Sequence, residues 1–524
     1  MTKLFRKKRF LLIKRLFHAL LFLLSLNSGA QSLRYSNIVF DKTDTLKNIE
    51  FATAPWLNNK VNLLAEYNIH EGETTTETRP LLMDIFTPEK DTVTKRPAII
   101  FMHSGGFLLG TRHNDDMVAL CDSFARRGYV TATIDYRLGM GATINRFLGI
   151  IIGAKVDNAN GYRAFYRAMQ DARAAVRFLK HNHENFGIDS SKIFLFGSSA
   201  GAILGIQNLY LDKNQEIDSA AYNMPSLGSP DTIGIHGFGG KANGVVALWG
   251  SIQMPELIEN ETTPLFLAHG TDDDVVPFRK GKLLGNIEIP IPTIKLELPE
   301  GYGSFCIDTA LQNRGIPHET YFVEGKKHEF YGVDTGEFPV DGPNAYWDTI
   351  IWKTSDFLFG IFKPKAGFSV ETQNLKAVFS NTSTDIYSAR WDFGDNTTAE
   401  GKTVEHVFAH AGNYKITLTT CNRNLACDTI SNTIIVGHYV YADIVSEQNL
   451  SIFPNPTSGI FRINGINSPA TIRIFDMQGN LKSESENSLS EPILIQHFKA
   501  GLYIVEIEME NRKITMKLVK NDRL

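Results

Sequence analysis

One short stretch constrains this 524-residue chain more than any other. Residues 193–196, Ile-Phe-Leu-Phe, are an apolar run typical of a buried strand, and Gly-Ser-Ser-Ala-Gly follows at 197–201. Glycines at both ends of that pentapeptide allow a sharp turn from strand into helix without a side-chain clash. The Gly-x-Ser-x-Gly pattern therefore predicts a nucleophile elbow, in which Ser199 projects its hydroxyl from the sheet and the amide of Ala200 points to the same place.

Length and composition limit the number of domains and the kinds of partner. The chain is longer than a single hydrophobic core usually supports, so two to four domains are expected. Its hydrophobic content of 43% and charged content of 21% are those of an ordinary globular protein. The net charge is −4, and the first 30 residues hold seven Lys or Arg and no acid, so the remainder is more acidic still. A nucleic-acid partner is therefore disfavoured.

Residues 1–30 have the pattern of a secretory signal peptide. Basic residues dominate as far as Arg15, residues 16–26 form an apolar run, and Ser-Gly-Ala at 28–30 supplies the small residues of a cleavage site. An uncleaved membrane anchor is the alternative, although the run is short for spanning a bilayer. We therefore expect export.

Export would place the four cysteines in an oxidising compartment. Cys421 and Cys427 are six residues apart in a strand-rich region and could pair. Cys121 and Cys306 fall in separate predicted helices and are expected to be buried thiols. The sequence alone does not fix the pairing.

Between residues 38 and 362, apolar strands alternate with amphipathic helices. Strands are predicted at 97–102, 130–134, 193–196, 245–249, 264–268 and 320–323, and helices at 115–127 and 164–181. This alternation is typical of a mostly parallel sheet with helices on both faces. An α/β domain is therefore expected over residues 31–362.

Three loops that follow predicted strands carry residues suited to ester hydrolysis. His-Ser-Gly-Gly-Phe stands at 103–107, His-Gly-Thr-Asp-Asp-Asp at 269–274 and Gly-Lys-Lys-His at 325–328. A serine that attacks an ester needs a base to take its proton, an acid to orient that base and amides to hold the oxyanion. The chain supplies these groups in the order serine, aspartate, histidine.

This set of motifs resembles the carboxylesterase and hormone-sensitive-lipase-like branch of the α/β-hydrolases. The resemblance covers the predicted α/β domain and implies the α/β-hydrolase fold with a catalytic triad of Ser199, Asp273 and His328. Asp272 and Asp274 are rivals for the acid in the same loop.

The resemblance also implies an oxyanion hole made by the backbone amides of Gly105, Gly106 and Ala200. The family has His-Gly-Gly-Gly where this chain has His-Ser-Gly-Gly, so Ser104 adds a side chain near the pocket. We expect His103 to brace this loop by hydrogen bonding. No cluster of His, Asp or Glu in the sequence has the spacing of metal ligands, so no metal and no other cofactor is expected.

One apolar run inside the α/β domain has no evident core partner. It is Phe-Leu-Gly-Ile-Ile-Ile-Gly at residues 147–153. It could be a helix packed within the domain. It could instead be an insertion beside the active site that receives a hydrophobic substrate.

After residue 363 the pattern changes to all-β. Residues 366–438 alternate apolar and polar positions and contain Trp-Asp-Phe-Gly-Asp-Asn at 391–396 and Gly-Asn-Tyr at 412–414. These residues resemble the signature of a PKD domain, which implies an immunoglobulin-like sandwich. We assign this domain no chemistry.

Residues 446–524 are a second all-β segment. They contain Pro-Asn-Pro at 454–456, Asp-Met-Gln-Gly at 476–479 and Gly-Leu-Tyr at 501–503. In this order the motifs resemble the C-terminal sorting domain of the type IX secretion system of Bacteroidetes. The resemblance implies a small sandwich that engages the secretion machinery and export across the outer membrane.

Together these features predict a secreted serine carboxylic-ester hydrolase that works through an acyl-enzyme, with two small β-sandwich domains after the catalytic domain. Esters of plant polysaccharide, simple carboxylate esters and polyesters all suit such a site, so the substrate could be polymeric. A serine peptidase of the prolyl-oligopeptidase type and a non-catalytic surface-binding protein are the alternatives.

Overall fold

A computed structural model describes residues 34–61, 67–211, 213–259, 261–285, 288–290, 293–437, 450–466, 468–487, 491–509 and 512–521. The predicted signal peptide lies outside these residues. The chain divides into two compact units, residues 1–437 and 438–524. Among the described residues, no helix combines the length and the apolar character needed to cross a membrane.

The α/β region of the first unit contains sixteen strands and seven α-helices within the described residues. Its strands are β1 (Thr43–Leu57), β2 (Ile69–Glu71), β3 (Thr76–Pro88), β4 (Arg96–Met102), β5 (Val130–Ile134), β6 (Met140–Phe147), β7 (Ile150–Val156), β8 (Ile188–Ser198), β9 (Val245–Leu248), β10 (Ser251–Ile252), β11 (Leu265–Gly270), β12 (Lys280–Lys282), β13 (Glu288–Pro290), β14 (Thr293–Leu296), β15 (Glu300–Gly303) and β16 (Glu319–Val323). Its helices are α1 (Asp115–Ala125), α2 (Asn158–His181), α3 (His183–Phe186), α4 (Ala200–Tyr210), α5 (Ser219–Tyr222), α6 (Ser304–Asn313) and α7 (Ala345–Phe362).

Eight of these strands form one sheet in the order β1-β3-β5-β4-β8-β9-β11-β16. The pairs β1–β3 and β3–β5 are antiparallel, and the remaining neighbours are parallel. All seven residues of β4 and all five of β5 are buried, as expected for strands covered on both faces. The predicted mostly parallel sheet is confirmed.

Strand β8, which leads into the predicted nucleophile elbow, shows which side chains cover the two faces of the eight-stranded sheet. Ile193 and Leu195 belong to a core that also contains residues of α2 and α4, while Phe194 and Phe196 belong to a second core with residues of α1 and α7. Successive side chains of a strand point to opposite faces, so β8 separates the two cores. Helices therefore cover both sides of the sheet, as the α/β-hydrolase fold requires.

The apolar run at 147–153 is not a helix, and that interpretation was wrong. It forms the end of a hairpin in which β6 pairs with β7 and Phe147 lies opposite Ile150. Leu148 and Gly149 make the two-residue turn with φ of 50° and 80°. Leu148 is 87% exposed and Ile150 is 68% exposed. A role for this hairpin in binding a hydrophobic substrate stays a prediction.

The hairpin belongs to a second sheet of the α/β region. Its strand order is β13-β14-β7-β6-β2. The inner part of the hairpin is covered, since Ala142, Ala154 and Val156 are buried. In β14, Leu296 pairs with Val156.

The PKD-like region of the first unit is a sandwich of two sheets. Its strands are β17 (Phe368–Gln373), β18 (Lys376–Asn381), β19 (Ser388–Asp392), β20 (Thr398–Glu400), β21 (Thr403–Val407), β22 (Gly412–Cys421) and β23 (Cys427–Val436), in sheets ordered β17-β18-β21 and β20-β19-β22-β23. Trp391, Phe379 and Ile416 are fully buried in its core. Cys421 and Cys427, which the sequence suggested could pair, form a disulfide. Cys121 is a buried free thiol as expected, whereas Cys306 is free but only partly buried.

The loop closed by this disulfide packs against the α/β region. The Asn424 side-chain amide donates to the Lys95 carbonyl at 2.8 Å and to the Asp189 carboxylate at 3.0 Å. The Tyr35 hydroxyl donates to the Asn424 carbonyl at 2.6 Å. The Asn422 side-chain amide donates to the Phe362 carbonyl at 2.7 Å. These bonds join the two regions within one unit.

The second unit is also all-β. Its strands are β24 (Ser451–Phe453), β25 (Ile460–Asn464), β26 (Ala470–Asp476), β27 (Leu481–Asn487), β28 (Ile493–Leu494), β29 (Gly501–Met509) and β30 (Arg512–Lys520), in sheets ordered β24-β25-β28 and β27-β26-β29-β30. Phe461, Ile472 and Val505 are fully buried between these sheets. This arrangement agrees with the predicted small sandwich.

Candidate active site

Ser199 occupies the turn between β8 and α4. Its φ of 53° and ψ of −112° are unusual for a residue with a side chain and are typical of a strained nucleophile elbow. A Cβ on Gly197 would lie 2.1 Å from the backbone of Gly201, and one on Gly201 would lie 2.1 Å from the Met102 carbonyl oxygen. Both glycines are therefore required for this turn.

The structure brings Ser199, His328 and Asp273 into one hydrogen-bonded row. His328 Nε2 lies 2.9 Å from Ser199 Oγ, and His328 Nδ1 lies 2.7 Å from Asp273 Oδ2. Their loops follow β8, β16 and β11, which belong to the parallel part of the large sheet. The carboxyl ends of parallel strands share one edge, which is why residues far apart in sequence meet here.

Asp273 is held as an anion by several donors. Its Oδ1 accepts hydrogen bonds from the amides of Val275 and Val276, each at 2.9 Å. Burial raises the pKa of this carboxyl, but hydrogen bonds from His269 and His328 outweigh burial and hold the pKa well below its usual range. A carboxylate that stays ionised suits the task of orienting an imidazole.

The neighbouring acids have different surroundings. Asp272 accepts a hydrogen bond from the Thr271 hydroxyl, and Asp274 forms an exposed ion pair with Lys327 at 2.9 Å. The side chain of Asp274 is 63% exposed, whereas that of Asp273 is fully buried. Of the three aspartates, Asp273 is the one in contact with His328.

His269 supports Asp273, a role that the sequence did not indicate. Its Nδ1 lies 2.8 Å from Ser304 Oγ, and its Nε2 lies 2.8 Å from the Val276 carbonyl oxygen and 3.1 Å from Asp273 Oδ2. Nε2 therefore carries the proton and donates toward both oxygens, while Nδ1 accepts from the serine hydroxyl. The sequence feature that could have indicated this role is the position of His269 at the start of the His-Gly-Thr loop.

The glycines after β4 line the same cleft as Ser199. Gly105 and Gly106 have φ of 111° and 61°, and a Cβ on Gly105 would lie 2.3 Å from the Leu109 carbonyl oxygen. In the part of the chain that the structure describes, neither amide donates a hydrogen bond. Ala200 is the first residue of α4, where amides lack an intrahelical acceptor. All three amides are therefore available to a ligand.

His103 supports the loop that contains Gly105 and Gly106 by a hydrogen-bonding contact and by ring stacking. Its Nδ1 lies 2.6 Å from the Ser104 carbonyl oxygen, and its ring stacks on Tyr136 with ring centres 4.2 Å apart. Burial lowers the pKa of His103 to about 4, so the imidazole is neutral at physiological pH. The side chain of Ser104 is buried and lines the cleft.

The cleft has a volume of about 310 Å³ and a largely apolar wall. Ser199 and His328 lie at its surface together with the glycine loop. The apolar residues around them are Tyr67, Leu108, Leu109, Val275, Leu284, Leu296 and Val333. No group of three or more His, Cys, Asp or Glu within the described ranges is placed to hold a metal ion.

Glu329 and Asp116 are two buried carboxyls that the sequence did not single out, and Glu329 lines the cleft. Glu329 accepts a hydrogen bond from the Thr335 amide at 2.7 Å, and burial raises the pKa of its carboxyl. Asp116 accepts from the Tyr331 hydroxyl and the Met117 amide, each at 2.7 Å, and burial raises its pKa to about 8. Both groups carry a proton over a wider pH range than ordinary carboxyls do.

We expect Asp116 to make the fold less stable as pH rises. Its folded-state pKa of about 8 exceeds the ordinary value of 3.8, so between these values the unfolded chain releases a proton that the folded chain keeps. Stability contributed by Asp116 should fall by about 1 kcal/mol per pH unit across this window. Melting temperatures of wild type and Asp116→Asn, measured at pH 4 to 8, should converge at the low end of this range and separate at the high end.

The matched control for this measurement is Asp115→Asn, since Asp115 is the exposed neighbour. That variant should keep the pH dependence of the wild type. If Asp116→Asn also loses stability with pH as the wild type does, Asp116 is not the group responsible.

Three family models match successive parts of the chain. Residues 62–215 match the carboxylesterase family, residues 362–436 match the PKD domain, and residues 451–521 match the secretion system C-terminal sorting domain. The first match includes the elbow but ends before Asp273. The chain thus joins a carboxylesterase-type segment on an α/β-hydrolase fold to a PKD domain and a sorting domain.

The sorting domain indicates where the protein is transported. A type IX sorting domain marks a protein for export, with secretion or attachment at the cell surface, and implies an encounter with the secretion machinery. The protein is therefore an exported one.

Curated relatives resemble only part of the chain. Gut esterase 1 of Caenorhabditis elegans is 31% identical over 140 residues, which is 27% of this chain and 22% of that protein. Carboxylesterase 3B of Mus musculus is 32% identical over 132 residues, or 25% and 20%. Fumonisin B1 esterase of Sphingopyxis macrogoltabida is 28% identical over 154 residues, or 29% and 26%. The chain spans about a quarter or less of the length of these relatives.

The solved structures to which part of the chain is similar include esterase 2 of Thermogutta terrifontis with propionate bound. It has 20% sequence identity and a TM-score of 0.36, and the likeness covers 54% of this chain and 90% of that chain. The form of that esterase phosphorylated by paraoxon has 19% identity and a TM-score of 0.36 over 59% of this chain and 94% of that chain.

Proposed function

We propose that this exported protein is a serine hydrolase of carboxylic esters that works through an acyl-enzyme. The observation that carries the proposal is the row of contacts at 2.9 Å and 2.7 Å from Ser199 through His328 to Asp273. Ser199 and His328 line a cleft together with Gly105 and Gly106, whose amides donate no hydrogen bond within the described residues. The match of residues 62–215 to the carboxylesterase family supports the same chemistry.

In the first half of the reaction Ser199 Oγ attacks the ester carbonyl carbon while His328 Nε2 takes the serine proton. The carbonyl oxygen becomes an oxyanion, which the amides of Gly105, Gly106 and Ala200 bind. Asp273 stabilises the imidazolium. When the carbon–oxygen bond to the alcohol breaks, His328 gives its proton to the leaving oxygen and the acyl group stays on the serine.

The second half repeats these steps with water as nucleophile. His328 takes a proton from water, the hydroxide attacks the acyl carbon, and the proton passes to Ser199 Oγ as the acid leaves. Besides the ester, the balance requires only one molecule of water. For the substrate we propose a carboxylic ester in which the alcohol is a simple alcohol, a plant polysaccharide or a unit of a polyester.

Covalent labelling tests this proposal. An alkyl fluorophosphonate should react with the full-length protein to a limit of one adduct per chain, because an activated serine attacks phosphorus as it attacks a carbonyl. Peptide mass spectrometry should place the adduct on Ser199. The adjacent Ser198 is an internal control, since its hydroxyl accepts a hydrogen bond from Trp249 Nε1 at 2.9 Å and, within the described residues, makes no hydrogen bond to His328.

Heat-denatured protein should take up no label. Failure of the folded protein to react, or an adduct on Ser198, would contradict the proposed chemistry. Faster cleavage of dipeptidyl amides than of esters would instead indicate a serine peptidase.

A further inference from the structure

Two polar side chains line the cleft without a role in the reaction proposed above. They are Ser104, which directly precedes Gly105, and Glu329, which directly follows His328. Ser104 is 1% exposed and Glu329 is 7% exposed. Each is the chain neighbour of a residue to which the reaction assigns a role, so a group bound by either would lie close to the ester.

Ser104 carries a hydroxyl without a partner. Its Oγ is buried and makes no hydrogen bond within the described residues. The esterase family that this segment resembles has glycine in this place, so the turn itself does not require a hydroxyl. Buried hydroxyls are normally paired, and one that lines a cleft beside a reactive serine indicates that a ligand supplies the partner.

Glu329 has acceptor capacity to spare. One of its oxygens accepts a hydrogen bond from the Thr335 amide at 2.7 Å, and the other lies 3.5 Å from Ser198 Oγ, which is a long contact. A carboxylate can accept about four hydrogen bonds. The φ of Glu329 is 48°, in the left-handed region that residues with side chains rarely adopt, and such outliers cluster at functional sites.

The two side chains are neighbours across the cleft wall. Burial raises the pKa of the Glu329 carboxyl, while the charge of His328 and the hydroxyl of Ser104 lower it. These opposing effects act at short range, so the three groups surround the same part of the cleft. A single hydroxyl of a ligand can accept a hydrogen bond from Ser104 and donate one to Glu329, which satisfies both residues.

The position beside His328 indicates which part of the ester is recognised. In the proposed reaction His328 gives its proton to the oxygen of the leaving alcohol. Glu329 is the next residue and lines the same cleft, so the group that it binds belongs to the alcohol part of the ester.

We propose that Ser104 and Glu329 together bind a free hydroxyl of the alcohol part, on the carbon next to the one that carries the ester. The proposal rests on the ester hydrolase function proposed above and assigns these two residues to alcohol specificity. The substrate class is then a partly esterified polyol. Its diol can come from a ring, as in a sugar unit, or from an open chain, as in a glycol or glycerol unit.

The experiment compares acetates that differ only in whether the neighbouring oxygen can donate a hydrogen bond. The open-chain pair is 2-hydroxyethyl acetate and 2-methoxyethyl acetate, and the ring pair is trans-2-hydroxycyclohexyl acetate and trans-2-methoxycyclohexyl acetate. For at least one pair, wild-type kcat/KM should be about tenfold or more higher for the hydroxylated ester, because a site that pairs with a hydroxyl discriminates against its analogue. Released acetate is measured by pH-stat titration, and the pair that shows the preference identifies the kind of diol.

Glu329→Gln tests the acceptor. Its oxygen can keep the bond from the Thr335 amide, which turns the NH₂ group toward the cleft. An NH₂ group donates to a hydroxyl and to a methoxy oxygen alike, so the ratio within the preferred pair should fall to about 1. A methoxy group that was merely too large would still be rejected by this variant.

Ser104→Ala tests the donor and does not depend on whether Glu329→Gln folds. The ratio of kcat/KM for 2-hydroxyethyl acetate to that for butyl acetate should fall by about threefold or more, since butyl acetate has no oxygen to pair with the serine hydroxyl. The melting temperature should not fall, because the lost hydroxyl has no partner in the part of the chain that the structure describes.

Equal kcat/KM values within both pairs for the wild type would overturn this proposal, as would a preference that survives in Glu329→Gln. Faster turnover of acetylcholine than of 2-hydroxyethyl acetate would also overturn it, since the carboxylate would then attract a cation. None of these outcomes affects the proposed ester hydrolase function, which p-nitrophenyl acetate turnover through Ser199 tests. Absence of any ester turnover in the wild type would contradict both proposals.

Discussion

Replacing Ser199 with alanine should lower kcat/KM for p-nitrophenyl acetate by at least about 10⁴-fold, because the variant has no nucleophile to form the acyl-enzyme. The remaining rate would come from substrate binding and from the oxyanion donors acting on water. The fold should survive, since Ser199 Oγ contacts only His328 among the described hydrogen bonds and alanine fits the same turn. Initial rates should be followed by absorbance at several substrate concentrations.

The matched control is Ser198→Ala, one residue earlier. Ser198 lies on β8 and its hydroxyl contacts Trp249 and Glu329 instead of His328. This variant should lose far less activity than Ser199→Ala. Comparable turnover in Ser199→Ala and wild type, with unchanged circular dichroism, would rule out Ser199 as the nucleophile.

Replacing Asp273 with asparagine should lower kcat by about 10³- to 10⁴-fold. An amide in this place cannot stabilise the imidazolium, and its NH₂ group can hold His328 in the wrong tautomer. His269 would lose the anion toward which its Nε2 donates. Stopped assays with p-nitrophenyl acetate over pH 5 to 9 would separate this loss from a simple shift of the pH optimum.

Asp272→Asn and Asp274→Asn are the controls for that measurement. Both carboxylates lie in the same loop, and Asp274 is engaged in an exposed ion pair, so each change should alter kcat by no more than about twofold. A large loss in either of these variants, with little loss in Asp273→Asn, would show that the acid is misassigned.

The sequence predicted much of the α/β region because its signals are local. The strand before Ser199, the glycines around it and the buried parallel strands all follow from short stretches whose composition permits little else. Ser199, Asp273 and His328, which the structure brings into one row, were also named in advance, because the loops after three predicted strands resemble the motifs of the family. Their catalytic roles stay predictions that the variants above would test.

The hairpin at 147–153 could not be predicted from the sequence in the same way. A short apolar run fits a buried helix segment or a strand equally well, and periodicity does not separate them. What decided the outcome was a two-residue turn at Leu148 and Gly149 and pairing of β7 with β14, more than 130 residues later in the chain. Long-range pairing of this kind has no local signature.

The supporting residues of the site were missed for a related reason. His269 is the first residue of the His-Gly-Thr motif and Glu329 directly follows His328, but their roles depend on Ser304 and Thr335, which approach only in the folded chain.

The loop closed by Cys421 and Cys427 has a consequence for how the protein could act on a solid substrate. Asn422 and Asn424 attach this loop to the carbonyls of Phe362 and Lys95, so the PKD domain does not hang from a free linker. Any surface that the PKD domain bound would therefore stay at a fixed distance and angle from Ser199, and the proposed hydrolase would reach only the ester bonds within that distance. Moving to a new patch would require the whole protein to detach and bind again.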